Sequence, residues 1–515
     1  MNTMIQILKR YFILFTFLLI VFDVDAQIIK NQPEYLPPVV NFEKDNNGFF
    51  FNKSDAFYLR YMWKSFVALN WPNKSGQRDN PDSKNLIPAS RAPLVWETYP
   101  QPQEVFLLPK YWDDYPDWKN IPDLPVGMSV DQVKILCKGF NPNKHIVLYD
   151  INQPNTSIRV GPVAPLIDQN GRYVRYQVTM NRTYFDYVAK NKYYDAELQI
   201  ASVQTSQNAQ YQGASQKPIG AFNPLPFDQN NTPGMIETKA AWRILDEKSD
   251  DPSRYYTRPG YILNPDKTQC YLAPAGVGLV ALHIHRITRL SHVASTFEQV
   301  DNVAILDSNT PENIHPSFNP GIKNITQENI WPPYGNRGFN GPLPTVITAK
   351  NTLAPRKQRQ ANNISRATEI PTNVREINHE FQNKYKDSVL KFYQMINVQH
   401  VRSECKMKLT NDFSQPMQWQ PDTCPQPNGN RLINAALESY TQLVDPYTNR
   451  PYNYSCQGCH SHARPCGFEG ELKNKLTFKP EFMVMSYLLS KAKFPNQLKS
   501  VDGYSCNNPA TQPYH

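Results

Sequence analysis

The chain lacks the features that would hold it in a membrane or on a nucleic acid. Beyond residue 22, no apolar run approaches the roughly 20 residues needed to span a bilayer. Lysine and arginine do not gather into basic tracts, which argues against nucleic-acid binding. No internal repeat is visible, which argues against a solenoid. No cysteine precedes Cys137, which excludes a lipid anchor on a mature N-terminal cysteine.

The N-terminal residues have the pattern of a secretory signal peptide. Lys9 and Arg10 precede a short apolar run over 11–22, and residues 24–26 have the small or short side chains that a signal peptidase accepts. We therefore expect a signal peptide over residues 1–26 and export to the periplasm or beyond the cell. An uncleaved N-terminal membrane anchor is the alternative, although the run is short for a bilayer span.

The composition indicates a globular protein with a mildly basic surface. Hydrophobic residues make up 40% and charged residues 19% of the 515 residues, which suits a packed core better than a disordered chain. The formal net charge of +9 favours an acidic partner protein or an anionic lipid face.

The hydrophobic patterns predict an α+β fold in which a large mixed N-terminal region with antiparallel strands precedes a mainly helical, cytochrome c-like C-terminal region. We expect a signal peptide at 1–26, an N-terminal domain over 27–365 with an irregular stretch at 309–365, and a helical region over 366–515. Strands are predicted at 146–149, 172–180, 236–245 and 277–287, with a hairpin over 165–180, and helices at 57–70, 184–188, 373–401, 432–443 and 481–492.

Near the C-terminus, Cys456, Cys459 and His460 form a Cys-x-x-Cys-His motif. Two thiols at this spacing form thioethers to the vinyl groups of one haem, and the histidine that follows ligates its iron. The motif is expected by chance only about 0.002 times in a chain of this composition. We therefore predict one covalently attached haem c, with His460 as the proximal iron ligand.

Other chemistry fits the same residues less well. Four-coordinate zinc would accept the spacing of Cys456, Cys459, His462 and Cys466, and the segment would then be a structural zinc site. A thioredoxin-like redox pair normally opens a helix after a strand, and here a polar turn precedes the motif. The last alternative is a disulfide between Cys456 and Cys459.

The sixth iron ligand is left open by the sequence. His283 lies with His285 on one face of a predicted strand, and Met483 and Met485 follow the motif on a predicted helix. His283 or Met485 is the distal ligand that we predict, and an open or water-bound iron site is the alternative. An axial methionine or histidine favours electron transfer, whereas an open site favours chemistry on peroxide or another small ligand.

Two further groups of residues suggest sites of their own. His283 and His285 with Glu298 and Asp301 have the side chains of a second metal site. Outside the motif, six cysteines allow three disulfides in 15 connectivities, or buried free thiols. Proximity in the sequence favours the pairs Cys405–Cys424 and Cys466–Cys506.

Several strings resemble a family of exported bacterial mono-haem proteins, usually called cytochrome c family proteins. The strings are residues 66–72, 95–98, 165–176, 236–243 and 296–302. The resemblance covers most of the mature chain, and it implies a large N-terminal region followed by one haem motif. It also implies that His283 falls at a frequent histidine, that Met485 stands where phenylalanine is common, and that Gln299 replaces a frequent histidine.

The sequence thus predicts an exported mono-haem c-type cytochrome that carries single electrons between redox partner proteins, an acidic one among them. A haem-dependent redox enzyme, either peroxidase-like or relaying electrons to a substrate site, is the first alternative. A binding module stapled by zinc and disulfides is the second.

Overall fold

The computed structural model describes the central part of the chain in most detail. The described residues are 43–44, 50–51, 54–82, 93–151, 166–199, 226, 232–264, 267–288, 292–308, 310–312, 314–321, 361, 363–364, 366, 369–400, 406–408, 418–419, 432–439 and 487–493. These residues form helices together with mainly antiparallel strands, so the predicted α+β class is confirmed. Within them, no helix is both long and apolar enough to cross a membrane.

The elements follow one another in a mixed order. The α-helices are α1 (Asp55–Leu69), α2 (Pro102–Val105), α3 (Val130–Leu136), α4 (Arg182–Asn191) and α5 (Thr372–Lys384). The strands are β1 (Glu43–Lys44), β2 (Phe50–Phe51), β3 (Ile146–Leu148), β4 (Arg175–Met180), β5 (Ile236–Ile244), β6 (Thr257–Arg258), β7 (Gly260–Leu263), β8 (Cys270–Leu272), β9 (Val277–Ile287), β10 (His292–Gln299), β11 (Tyr393–Gln399), β12 (Lys406–Lys408) and β13 (Gln418–Trp419). Short 3₁₀ helices lie at Trp96–Thr98, Pro109–Tyr111, Pro125–Gly127, Pro252–Arg254, Val389–Phe392 and Tyr487–Lys491.

An antiparallel sheet of six strands forms the centre of the fold. Its spatial order is β11, β10, β9, β5, β4, and β6 also pairs with β9. Every residue of β9 and β5 is buried, as expected for strands covered on both faces. The predicted strand at 277–287 is confirmed with the same bounds, and it lies in the middle of the sheet.

Helices α1 and α5 cover one face of this sheet, which we call the helix-covered face. The Ser54 side chain caps the start of α1, and Asn70 caps its end before a proline at position 72 stops the helix. The ring of Phe297 on β10 stacks on Phe66 at 4.1 Å between centroids, and Trp63 stacks on Phe381 of α5 at 5.1 Å. The predicted helix at 57–70 is confirmed, and its aromatic stripe faces the sheet.

Two smaller sheets complete the described fold. Strands β3, β7 and β8 form one of them, and a disulfide between Cys137 and Cys270 ties it to the end of α3. Strands β1, β2, β12 and β13 form the other. The cysteines of the two predicted pairs, 405–424 and 466–506, lie outside the described residues, as do the predicted signal peptide and most of the predicted irregular stretch.

The predicted long helix over 373–401 is wrong in its second half. Helix α5 ends at Lys384, and Tyr393–Gln399 forms β11, which pairs with β10 in the central sheet. The large apolar residues of this segment fit a helical stripe, but they also alternate in β11, where Tyr393 and Met395 are buried. Pairing with β10 decides between the two patterns. The sheet therefore includes residues on both sides of the predicted boundary at 365/366.

Two other predictions need correction. Residues 432–439 form turns rather than the predicted helix, while 440–443 lie outside the described residues. The strand predicted at 172–180 is shorter, because β4 begins at Arg175, and its polar side chains are mostly buried because they bond within the protein. Gln177 accepts a hydrogen bond from the Trp242 indole at 3.2 Å, and the hydroxyls of Thr179 and Thr238 lie 2.7 Å apart.

Candidate functional site

The structure describes only one part of the predicted site. Cys456, Cys459 and His460 lie outside the described residues, as do Met483 and Met485. His283 and His285 are described, and both are buried in β9. The described part of the predicted site is therefore the region of the central sheet around these two histidines.

His283 lies on the face of the sheet opposite the helices, which we call the polar face. In antiparallel pairing, directly opposed residues share a face, and His283 is opposed to Thr296 on β10 and to Lys239 on β5. His285, two residues on, is opposed to Glu237 and shares this face. These side chains are all buried, which is uncommon for ionisable groups unless they are paired. Glu237 and Lys239 form an ion pair at 3.3 Å.

Residues 432–439, which we call the clasp segment, lie against the polar face. Its small side chains Ala435 and Ala436 are buried in the same apolar cluster as Ala241 and Ala281 of the sheet. Small side chains on both sides bring the segment's backbone close to the strands. The Tyr176 hydroxyl of β4 donates to the Ala436 carbonyl oxygen at 3.0 Å, which fixes the distance between them.

Asn434 carries most of the directed bonds of the clasp segment. Its side-chain amide donates to Thr296 Oγ1 at 2.7 Å and to the Phe297 carbonyl at 2.9 Å. The β10–β11 register shifts between these two residues, and such irregularities free backbone groups for other partners. The Asn434 Oδ1 atom accepts from the backbone N–H of Ala436 and Leu437, which closes the turn of the segment.

Glu298 supplies a buried charge under the clasp segment. Its carboxylate accepts the Ala435 backbone N–H at 2.6 Å and pairs with Arg366 at 2.6 Å. The Glu298 side chain is 0% exposed. Both contacts are charge-assisted, which makes each of them stronger than a neutral hydrogen bond.

His283 is joined to the clasp segment by Glu438. The Glu438 Oε1 atom lies 2.6 Å from His283 Nε2, and Glu438 Oε2 accepts the Asn434 backbone N–H at 2.9 Å. The oxygen lies off the direction of the ring N–H, so this is a close contact and not an aligned hydrogen bond. In this arrangement a carboxylate oxygen fills the space beside His283 Nε2, so this atom is not open to an iron ion.

The predicted second metal site is not assembled. Glu298 faces Arg366 and Ala435, and Asp301 forms a two-point ion pair with Arg254 at 2.6 and 2.7 Å. Among the described residues, no group of three or more histidine, cysteine, aspartate or glutamate side chains is placed to hold a metal ion.

A second part of the C-terminal region is also fixed to the body of the protein. Leu488, Leu489 and Ala492 are buried in the main core cluster. The Lys493 backbone N–H donates to the Tyr194 carbonyl at 2.9 Å, and its carbonyl accepts from Ala196 at 2.9 Å. In the sequence, the Cys-x-x-Cys-His motif lies between this anchor and the clasp segment.

No family model, curated protein or solved structure matches this chain. The site must therefore be interpreted from its own residues. Sequence reasoning identified His283 but missed its partner Glu438 and the role of Asn434. An asparagine followed four residues later by glutamate is typical of a capped turn, but the strand that this turn contacts is more than a hundred residues earlier.

Proposed function

We propose that the protein is an exported mono-haem c-type cytochrome that carries single electrons between redox partners. The Cys-x-x-Cys-His motif at 456–460 carries this proposal. When bound, haem c supplies a one-electron iron couple. Cys456 and Cys459 would attach the haem through thioethers, and His460 would ligate its iron.

The described residues support this assignment by their arrangement on both sides of the motif. The clasp segment and residues 487–493 are both bonded to the body of the protein, and the motif lies between them in the sequence. We further propose that the motif-bearing region is mainly helical and cytochrome c-like, and that residues 1–26 are removed on export.

The net charge of +9 favours an acidic redox partner protein. In such a pair, opposite charge speeds encounter and is screened by salt. Electron transfer to the partner should therefore slow as ionic strength rises.

The test is the visible spectrum of the full-length protein, expressed with c-type haem maturation machinery. Covalent haem gives a c-type α band on reduction and a pyridine haemochrome that survives acidic acetone extraction. The double variant Cys456→Ser/Cys459→Ser should lose all covalent haem, whereas Cys137→Ser, outside the motif, should keep it. Iron-free protein with bound zinc would overturn the proposal, and a reduced spectrum that shifts with carbon monoxide would replace the electron carrier by a haem enzyme.

A further inference from the structure

We propose that His283 is not an iron ligand but the receiving half of a clasp that closes residues 432–439 onto the polar face of the sheet. The inference rests on the proposed function only in that the chain beyond the clasp segment carries the haem. It replaces the predicted distal role of His283 by a positioning role.

The imidazole of His283 lies against the Glu438 carboxylate. His283 is 7% exposed, and its Nε2 atom lies 2.6 Å from Glu438 Oε1. The other carboxylate oxygen of Glu438 is held by the Asn434 backbone N–H. The carboxylate is therefore presented to the imidazole by a closed turn, and it cannot move away from His283 while that turn is intact.

This turn is fastened to the sheet at separate points. Ala435 is bound through its N–H to the buried carboxylate of Glu298, and Asn434 is bound to Thr296 and Phe297. Ligation of iron by His283 Nε2 would require the Glu438 carboxylate to leave the imidazole, and the turn that holds this carboxylate would have to open.

The clasp closes immediately before the region that leads to the motif. Its hydrogen bonds to Thr296, Phe297 and Glu298 are directional, and each joins a defined atom of the segment to a defined atom of β10. We infer that the clasp sets the position at which the haem-carrying region begins. His283 and Glu438 act on the haem only through this placement.

The experiment compares His283→Gln, Glu438→Gln and the double variant in full-length protein carrying haem. Hydrogen exchange of residues 435–437 is followed by mass spectrometry, and the ferric haem by electron paramagnetic resonance. Each single variant should speed exchange at 435–437 by roughly a hundredfold, and the double variant no more than either alone, because both remove one buried pair. The ferric signal should stay low-spin in all three variants, because none of them removes an iron ligand, and the shift in its g-values should be the same in all three.

His379→Gln is the matched control, because His379 is an exposed histidine on α5 that bonds to Asn383. It should change neither readout. The clasp is refuted if Glu438→Gln leaves exchange at 435–437 unchanged. The assignment of His283 is overturned if His283→Gln converts the haem from low to high spin while Glu438→Gln does not.

The same exchange measurement on the Cys456→Ser/Cys459→Ser protein separates the two proposals. Wild-type protein without covalent haem would refute the proposed function, and the exchange difference between the variants would still test the clasp. If His283→Gln does not fold, Glu438→Gln and Thr296→Val test the clasp from the segment and from β10.

Discussion

Replacing Glu298 with glutamine should destabilise the protein far more than the same change at an exposed ion pair. Glu298 is fully buried, and it binds both the Ala435 N–H and the Arg366 guanidinium. Glutamine has nearly the same shape as glutamate, so the substitution preserves packing and removes mainly the negative charge of Glu298. The amide oxygen still accepts one bond, but the amide group no longer neutralises Arg366.

The magnitude follows from the burial of the pair. A hydrogen bond to a charged group contributes about 1.5–3 kcal/mol, roughly twice a neutral one. Arg366 is 19% exposed, so water screens part of its charge once the carboxylate is gone. We expect Glu298→Gln to lower the free energy of unfolding by about 2–4 kcal/mol.

Glu380→Gln is the matched control, because Glu380 forms a comparable pair with Arg60 at 2.8 Å on the surface. The two side chains are 48% and 47% exposed, and such pairs contribute about 0.2–1 kcal/mol. The assay is urea unfolding followed by tryptophan fluorescence and far-UV circular dichroism at pH 7. Equal losses of stability in the two variants would refute the argument that burial of Glu298 makes its pair strong.

Two further predictions concern a half-buried lysine and a turn glycine. Burial, and then the charge of a neighbouring lysine, lower the pKa of Lys493 to about 8, so the charged form is disfavoured in the folded protein. Lys493→Met should therefore raise the free energy of unfolding by about 1–3 kcal/mol at pH 7, where Lys493 is charged in both the folded and the unfolded protein. The gain should fade between pH 8 and 10.5, because the folded wild-type protein loses this charge there. A gain that stays constant in unfolding titrations from pH 7 to 10.5 would contradict this. Gly276→Ala should cost about 2–4 kcal/mol, because Gly276 has φ +79° and an added Cβ would lie 2.6 Å from the Arg258 carbonyl oxygen. Gly76 has φ +70° with open space around it, so Gly76→Ala should lower the free energy of unfolding by only about 1 kcal/mol, from backbone strain alone. Equal melting temperatures of the two variants would refute the argument that the Gly276→Ala side chain clashes with the Arg258 carbonyl.

The parts of the fold that the sequence predicts well are those in which local pattern and tertiary environment agree. The apolar run over 277–287 predicts a central strand because β9 is covered on both faces, and such strands need apolar residues throughout. The stripe over 57–70 predicts α1 because a cap precedes it and a proline follows it. Neither prediction requires knowledge of a distant residue.

The parts that it does not predict depend on distant partners. Residues 393–399 have a pattern compatible with both helix and strand, and only the pairing of β11 with β10 decides between them. The clasp depends on Glu298, Asn434 and Glu438, which are separated along the chain and have no joint spacing signal. His283 was identifiable as a candidate because a histidine in an apolar strand is conspicuous. The group that its ring contacts, Glu438, belongs to the clasp segment and could not be read from the strand.

The two faces of the central sheet differ in a way that bears on this role. On the helix-covered face, aromatic stacking of Phe66, Phe297 and Trp63 supplies non-directional burial. On the polar face, Glu298 accepts a directed hydrogen bond from the Ala435 N–H, and His283 lies in close contact with Glu438 Oε1. Buried polar groups of this kind contribute less to stability than apolar packing would, but they favour one register over its neighbours. A clasp made this way fixes where residues 432–439 lie on the sheet.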